Sequence, residues 1–184
     1  VRSDDEPIRE GQRFGILKTS AISYLSFDPT KNKIVNKDQE HRLSKPVRKD
    51  TVLVSRMNTP ELVGANVLVH EDHPNLFLPD RIWELSVKND TSPAWLNYVL
   101  QSLFLEGRMS VLSSGTSRSM RNISQSKYLE LNIPDIPISK QERIADILHS
   151  IDDEILANKK LKVKQEELKR GLMQGLLTGK VRLV

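Results

Sequence analysis

The chain has 184 residues, of which 38% are hydrophobic and 28% charged, and its mean hydropathy is −0.43. This composition is typical of a chain with one globular core. The sequence has no apolar run long enough to span a bilayer, and we expect no secretory signal. The absence of cysteine excludes disulfides and thiolate metal sites, and the net charge of +4 is a mild nucleic-acid signature.

Three segments in the first half of the chain have the composition of β-strands. Residues 51–56, 65–69 and 82–87 are rich in branched and aromatic side chains. Turn-forming residues, among them Pro60 and Pro74, separate them. We therefore predict that these strands form one sheet.

A helix is predicted after the third strand. Ser92 is a suitable N-cap, Pro93 fits the first turn, and Gly107 is a suitable stop, which places the helix over residues 94–106. Its apolar side chains should pack on the sheet.

The segment that follows this helix lacks periodicity. Residues 112–122 have the composition of a loop, and residues 124–129 are predicted to form a single helical turn.

From Ser139 onward the sequence predicts one long amphipathic helix. Ser139 and Glu142 have the spacing of a capping box, no proline follows, and Gly179 is a suitable stop. At about 1.5 Å per residue the helix would be roughly 57 Å long, more than a small domain needs for its own core. A polar residue in such an apolar seam usually fixes register. We predict a helix interface made of Ile144, Ile147, Leu148, Ile151, Ile155, Asn158, Leu161, Leu168 and Leu172.

The same region resembles a known family. Residues 133–137 (Ile-Pro-Asp-Ile-Pro), 141–148 (Gln-Glu-Arg-Ile-Ala-Asp-Ile-Leu) and 172–182 (Leu-Met-Gln-Gly-Leu-Leu-Thr-Gly-Lys-Val-Arg) are similar to the conserved region of Type I restriction-modification specificity subunits. Upstream, 114–116 (Ser-Gly-Thr) and 121–125 (Arg-Asn-Ile-Ser-Gln) resemble the end of the target recognition domain of such a subunit. The resemblance is strong over the helix and loose before it.

The resemblance implies an α/β fold of the α+β type. Residues 1–136 would form a small target recognition domain of mixed sheet and helices, and residues 137–184 a long coiled-coil helix. Because the first residue is Val, we expect the chain to lack the amino-terminal segment of that domain. In the family, each such domain reads one half of a split DNA site, and long helices hold two domains a fixed distance apart.

The resemblance also implies the partners. They are double-stranded DNA, methyltransferase (modification) subunits and a restriction subunit. The chain would be either a half-size subunit that pairs with a second copy of itself through the long helix or the carboxyl half of a full-length subunit. S-adenosylmethionine, ATP and Mg²⁺ are expected only on the partner subunits, so this chain would hold no cofactor. The complex would work in the cytoplasm, at the nucleoid, and not at a membrane.

Two basic stretches are the candidates for DNA contact. One lies between Glu106 and Glu130, where the sequence has no acidic residue, and the other covers residues 41–56. Lys and Arg neutralise phosphates, and Arg, Asn, Ser and Thr can read base edges. Either stretch could also be a solvated surface, since Lys and Arg often protect a strand edge. The candidates are Ser114, Thr116, Ser117, Arg118, Arg121 and Asn122 in the first stretch and Arg42, Lys45, Arg56 and Asn58 in or next to the second.

Patterns typical of enzymes are incomplete in this sequence. The run from His70 to His73 has no further His or Cys nearby, so we predict a surface loop there instead of a metal site. The glycines around Thr178 imitate a phosphate loop, but no Ser or Thr follows Lys180. We expect no catalysis and no metal in this chain. The alternative function is a coiled-coil adaptor whose globular head binds another protein, which predicts no salt-sensitive affinity for duplex DNA.

Overall fold

The computed structural model of the protein describes residues 3–4, 6–8, 14–115 and 120–179. The chain divides into two compact units, Val1–Glu142 and Arg143–Val184. In the described part, the first unit holds the strands and three short helices, and the second holds most of one long helix.

The larger sheet has five strands. In spatial order they are β1 (Ser3–Asp4), β5 (Asn32–Val35), β2 (Gly15–Leu17), β10 (His73–Phe77) and β6 (Pro46–Val47). β2 and β10 are parallel, and the other neighbours are antiparallel. The sheet is therefore mixed, which confirms the predicted fold class.

The strand β10 corrects the prediction for residues 70–74. Pro74, which we used as a separator, lies inside the strand, and the pairing with β6 shifts register between His73 and Phe77. A proline lacks the N–H that a regular ladder needs, so it is tolerated at such an irregularity. His73 is the first residue of β10, and its ring packs against the Phe27 ring with centroids 5.5 Å apart. Of the predicted surface loop from His70 to His73, residues 70–72 lie outside the strands, as predicted.

The second sheet confirms the three strands predicted from sequence. It consists of β11 (Ile82–Leu85), β7 (Val52–Ser55) and β9 (Asn66–Leu68), in that order and antiparallel. All four residues of β7 are buried because this strand is central. Two further pairs are small: β3 (Ile22–Ser23) with β4 (Ser26–Phe27), and β8 (Met57–Asn58) with β12 (Arg121–Asn122).

The helix α1 (Pro93–Leu105) confirms the predicted helix, with each end one residue earlier than predicted. The Ser92 hydroxyl accepts a hydrogen bond from the Trp95 N–H at 3.4 Å, and Gly107 follows with a φ of +76°. The helix packs on β7 and β9, and the Asn66 amide donates to the Asn97 side chain at 2.8 Å. The core of the first unit includes Leu53, Val54, Ala65, Leu100 and Met109.

The predicted loop over residues 112–122 is partly wrong. The helix α2 (Arg108–Leu112) extends to its first residue, and β12 occupies its last two. The strand was missed because β12 pairs with β8, which lies far away in the sequence. The helical turn that follows is confirmed as α3 (Gln125–Leu129), and the Ser124 hydroxyl caps it. Two 3-10 helices, Thr19–Ala21 and Lys37–Arg42, complete this unit.

The long helix α4 (Ile138–Leu177) has 40 residues. The predicted capping box is wrong, because the Pro137 carbonyl accepts the first helical hydrogen bonds, from the N–H groups of Lys140 and Gln141, and Ser139 therefore lies inside the helix. Gly179, with a φ of +71°, follows the last turn, which confirms the predicted stop.

Candidate nucleic-acid interface

Arg56 lies directly after β7, where the chain leaves the second sheet. Its backbone N–H donates to the Arg81 carbonyl at 3.0 Å, and its carbonyl accepts from the Ile123 N–H at 2.9 Å. Its guanidinium carbon lies over the Trp83 ring, 5.5 Å from the centroid. The Trp83 ring in turn meets the Tyr128 ring at 5.5 Å and an interplanar angle of 69°. Arg56 is therefore held at both its backbone and its side chain.

The strand pair β8–β12 brings both predicted basic stretches together. Arg121 lies opposite Asn58, and Asn122 lies opposite Met57. Ser114 joins the same ribbon, because its N–H and carbonyl exchange hydrogen bonds with Asn122 at 2.8 and 3.0 Å. Residues from distant parts of the sequence thus meet in one ribbon. Because side chains alternate along a strand, Arg121 and Asn122 point to opposite sides of it. We define the ribbon face by its two cations, Arg56, which directly precedes β8, and Arg121.

The cations of the ribbon face lack acidic partners within the described part of the chain. Neither Arg56 nor Arg121 forms an ion pair there, whereas Arg108 pairs with Glu106 at 3.3 Å. The two free guanidinium groups can therefore receive an anion or a base edge.

Five buried side-chain polar atoms of the described residues make no hydrogen bond. Three of them belong to Arg56 (Nε), to β12 (Asn122 Oδ1) and to α3 (Tyr128 Oη), and the other two are Asn36 Oδ1 and Asn66 Oδ1. Burial also raises the pKa of the Tyr128 hydroxyl above its ordinary value. An unsatisfied buried polar group typically costs about 1–3 kcal/mol, which is common where a site is built for a ligand and not for stability.

Asn58 has a structural position within the ribbon. It is 8% exposed, its amide donates to the Ser55 hydroxyl at 3.0 Å, and its side-chain oxygen accepts from the Thr59 N–H at 2.9 Å. These bonds stabilise the turn after β8, and they occupy both polar atoms of the Asn58 side chain.

The other predicted DNA contacts lie elsewhere. Lys45 reaches Glu84 at 3.9 Å, and because Trp83 and Glu84 are successive strand residues, Lys45 and Arg56 lie on opposite faces of β11. Arg42 is exposed and donates to the Gln39 side chain at 3.1 Å. The remaining predicted contacts, Thr116, Ser117 and Arg118, lie outside the described residues.

Trp83 and Tyr128 are the residues that the sequence analysis missed. They are aromatic residues of a strand and of a helical turn, and nothing in their local sequence relates them to Arg56. Their role follows only from the packing of β11 and α3 beside the ribbon face.

The predicted helix-interface residues lie on an accessible surface. Leu148 is half-buried and Asn158 is exposed. The others are between 40% and 64% exposed: Ile144, Ile147, Ile151, Ile155, Leu161, Leu168 and Leu172.

Among the residues that the structure describes, no group of three His, Asp or Glu side chains is placed to bind a metal ion. No helix in the described ranges combines the length and the apolar character needed to cross a bilayer.

The chain thus consists of a mixed-sheet domain, with two cations on a ribbon that lack acidic partners among the described residues, followed in sequence by a long helix with an exposed apolar side. The chain belongs to the Type I restriction modification DNA specificity domain family, whose model matches residues 12–165.

The relatives in this family are longer than the chain. It is 26% identical over 121 residues to the Type I restriction enzyme EcoEI specificity subunit of Escherichia coli, covering 65% of this chain and 20% of that protein. It is 30% identical over 141 residues to the MjaVIII specificity subunit of Methanocaldococcus jannaschii, covering 74% of this chain and 32% of that protein. The chain thus spans a third or less of these relatives.

Solved structures share the fold. A chain from a study of complex assembly and conformational transition of the type I R-M system has a TM-score of 0.63 and 19% identity, with coverage of 95% of this chain and 40% of that one. The S subunit from M. genitalium has a TM-score of 0.59 and 16% identity, with coverage of 95% and 42%. The HsdS subunit from Thermoanaerobacter tengcongensis has a TM-score of 0.57 and 18% identity, with coverage of 95% and 40%.

Proposed function

We propose that this chain recognises duplex DNA sequence-specifically as a specificity subunit, or part of one, in a Type I restriction-modification complex. The ribbon face would read one half of a bipartite site, and the chain itself would catalyse nothing. The observation that carries this proposal is the placement of Arg56, directly before β8, and of Arg121, on the paired strand β12, without an acidic partner among the described residues.

The exposed apolar side of α4 supports the second part of the proposal. Exposed apolar side chains recur over most of the helix, from Ile144 to Leu172, and such a surface is stabilised by a partner. The proposed partners are a helix of a second recognition unit, on this chain or another copy, together with modification subunits and a restriction subunit. Adenine methylation and DNA cleavage would take place on those subunits, which would bind S-adenosylmethionine, ATP and Mg²⁺. The complex would be cytoplasmic.

A binding titration at two salt concentrations tests the DNA proposal. The full chain, alone and with its modification subunits, is titrated with duplex DNA in a gel-shift assay. Because phosphate contacts release counterions, the affinity should fall steeply between 50 and 200 mM salt. An adaptor that binds only protein would show no such affinity.

A pair of variants locates the interface. We expect Arg121→Ala to weaken binding by about 1–3 kcal/mol, the cost of a lost charged or base-edge contact. The control Lys169→Ala removes the same charge from an exposed position on α4 and should leave binding unchanged. Equal effects of the two variants on DNA affinity would show that the ribbon face is not the DNA interface.

A further inference from the structure

Arg56 is held more firmly than a surface arginine needs to be. Its backbone bonds to Arg81 and Ile123 fix where the side chain starts, and the Trp83 ring lies beside the guanidinium. Tyr128 supports the Trp83 ring from another element. The orientation of Arg56 is therefore largely set before any ligand binds.

The packing on Trp83 leaves the donors of Arg56 unused. A guanidinium group that lies over an aromatic ring keeps its N–H groups in its own plane, where they can still donate. Within the described ranges, none of its three nitrogens makes a hydrogen bond, and Nε is the one that is buried. The guanidinium group of Arg56 is thus held in place, and its N–H groups remain available to donate hydrogen bonds.

We propose that Arg56 reads a guanine of the target by donating to its O6 and N7 atoms, and that Trp83 is the positioning residue for this contact. The inference rests on the proposed DNA-binding function of the ribbon face. A guanidinium group whose orientation is fixed before binding can donate to both acceptors of a guanine edge. This bidentate contact is the commonest specific contact of arginine in the major groove. A phosphate contact would need only the charge, which a lysine can also supply.

Duplexes that contain 7-deazaguanine test the contact directly. The full chain in complex with its modification subunits is used to select its target from random-sequence duplexes, and each guanine of that target is then replaced singly. This base lacks the N7 acceptor but pairs normally. In the wild type, one replacement should weaken binding by roughly 5- to 150-fold.

In the variant Arg56→Lys, replacing that guanine by 7-deazaguanine should no longer weaken DNA binding. Lysine keeps the charge but cannot donate to two acceptors in one plane. The affinity for the unmodified target should therefore fall to that for the modified one, while replacement of any other guanine should change the affinity as it does in the wild type. If the wild type is indifferent to every replacement, or if Arg56→Lys retains the full effect at every position, the proposal is wrong.

Variants of the aromatic pair separate positioning from stability. Trp83→Leu should lose discrimination at the same guanine, Trp83→Phe should keep part of it, and Tyr128→Phe should keep it fully because its ring remains. Equal discrimination in Trp83→Leu and the wild type, with both folded, would overturn the role of Trp83. A wild-type complex that binds no duplex in a salt-dependent way would instead contradict the proposed function itself.

Discussion

The hydroxyl of Tyr128 is buried, and among the described residues it has no hydrogen-bond partner. Its ring packs against Trp83, so the aromatic part accounts for its contribution to packing. We predict that Tyr128→Phe raises the free energy of unfolding by about 1–3 kcal/mol at neutral pH, because a buried hydroxyl without a partner is removed and no hydrogen bond is lost. Chemical denaturation of both proteins measures the difference.

The same substitution should alter the alkaline limb of the stability profile. Burial raises the pKa of Tyr128 above the ordinary value of 10.0. Above that pH the unfolded chain loses the proton and the folded protein keeps it, so the folded state loses stability as pH rises. Tyr128→Phe removes this term, and its stability should decline less steeply between pH 9 and 11, about the range of tyrosine titration. Parallel profiles would contradict the prediction.

Gln141 connects the first turn of α4 to neighbouring segments. Its side-chain oxygen accepts from the Ser92 N–H at 2.8 Å, and its amide donates to the carbonyls of Asp90 and Ile136 at 3.1 and 2.8 Å. The residue is 5% exposed, so its removal breaks three part-buried hydrogen bonds at once. We predict that Gln141→Ala lowers the free energy of unfolding by about 2–3 kcal/mol.

Gln165 provides the matched control for this prediction. It is a glutamine of the same helix, but it is exposed. Gln165→Ala should change the free energy of unfolding by less than about 0.5 kcal/mol. A similar loss in both variants would mean that helix composition, and not the three hydrogen bonds, determines the effect.

At the scale of the elements, three glycines differ in backbone φ angle and in the space available for a side chain, so alanine substitutions at them test the two effects apart. Gly64 has a φ of +84°, and an added Cβ would lie 2.4 Å from the Met109 Cβ. Gly107 has a φ of +76° but open space around it, and Gly171 lies in α4 with open space. Only Gly64 combines a strained conformation with a clash.

The three alanine substitutions should therefore rank in a fixed order. Gly64→Ala should destabilise by about 2–5 kcal/mol, and Gly107→Ala by about 1–2 kcal/mol from conformation alone. Gly171→Ala should stabilise α4 by up to about 1 kcal/mol, because alanine is the better helix former. Thermal unfolding followed by circular dichroism measures all three, and a Gly64→Ala protein as stable as Gly107→Ala would contradict the close contact with Met109.

At the scale of the whole molecule, the exposed apolar side of α4 predicts association. Leu161→Gln combined with Leu168→Gln should weaken assembly by about 2–4 kcal/mol, because two leucines would no longer be buried in the complex. Sedimentation of the chain, alone and with the modification subunits, measures the change. Helix content should stay the same, since both side chains are exposed in the chain itself.

A control for this prediction lies on the other side of the same helix. Lys159 and Glu166 are exposed, and helical spacing places them opposite the two leucines. Lys159→Gln combined with Glu166→Gln keeps the net charge and should leave assembly unchanged. Weakening of assembly by the control pair alone would place the interface on the charged side.

The sequence by itself determined the elements whose signals are local. The three strands of the second sheet, the helix α1 and the end of α4 follow from branched side chains, a cap and glycines that lie within each segment. The exposed positions of α4 could likewise be predicted from helical spacing, although their role as an interface stays a prediction.

Only the tertiary structure decided which distant residues meet. The pairing of Arg121 with Asn58, the packing of Arg56 on Trp83 and the bonds of Gln141 to the segment before α1 join residues far apart in the chain. The same packing places Lys45 away from Arg56, although both belong to one basic stretch of sequence. Local composition records whether a segment can form a strand or a helix, but the residues that surround a site are set by how those elements pack, because that depends on shape and burial across the entire chain.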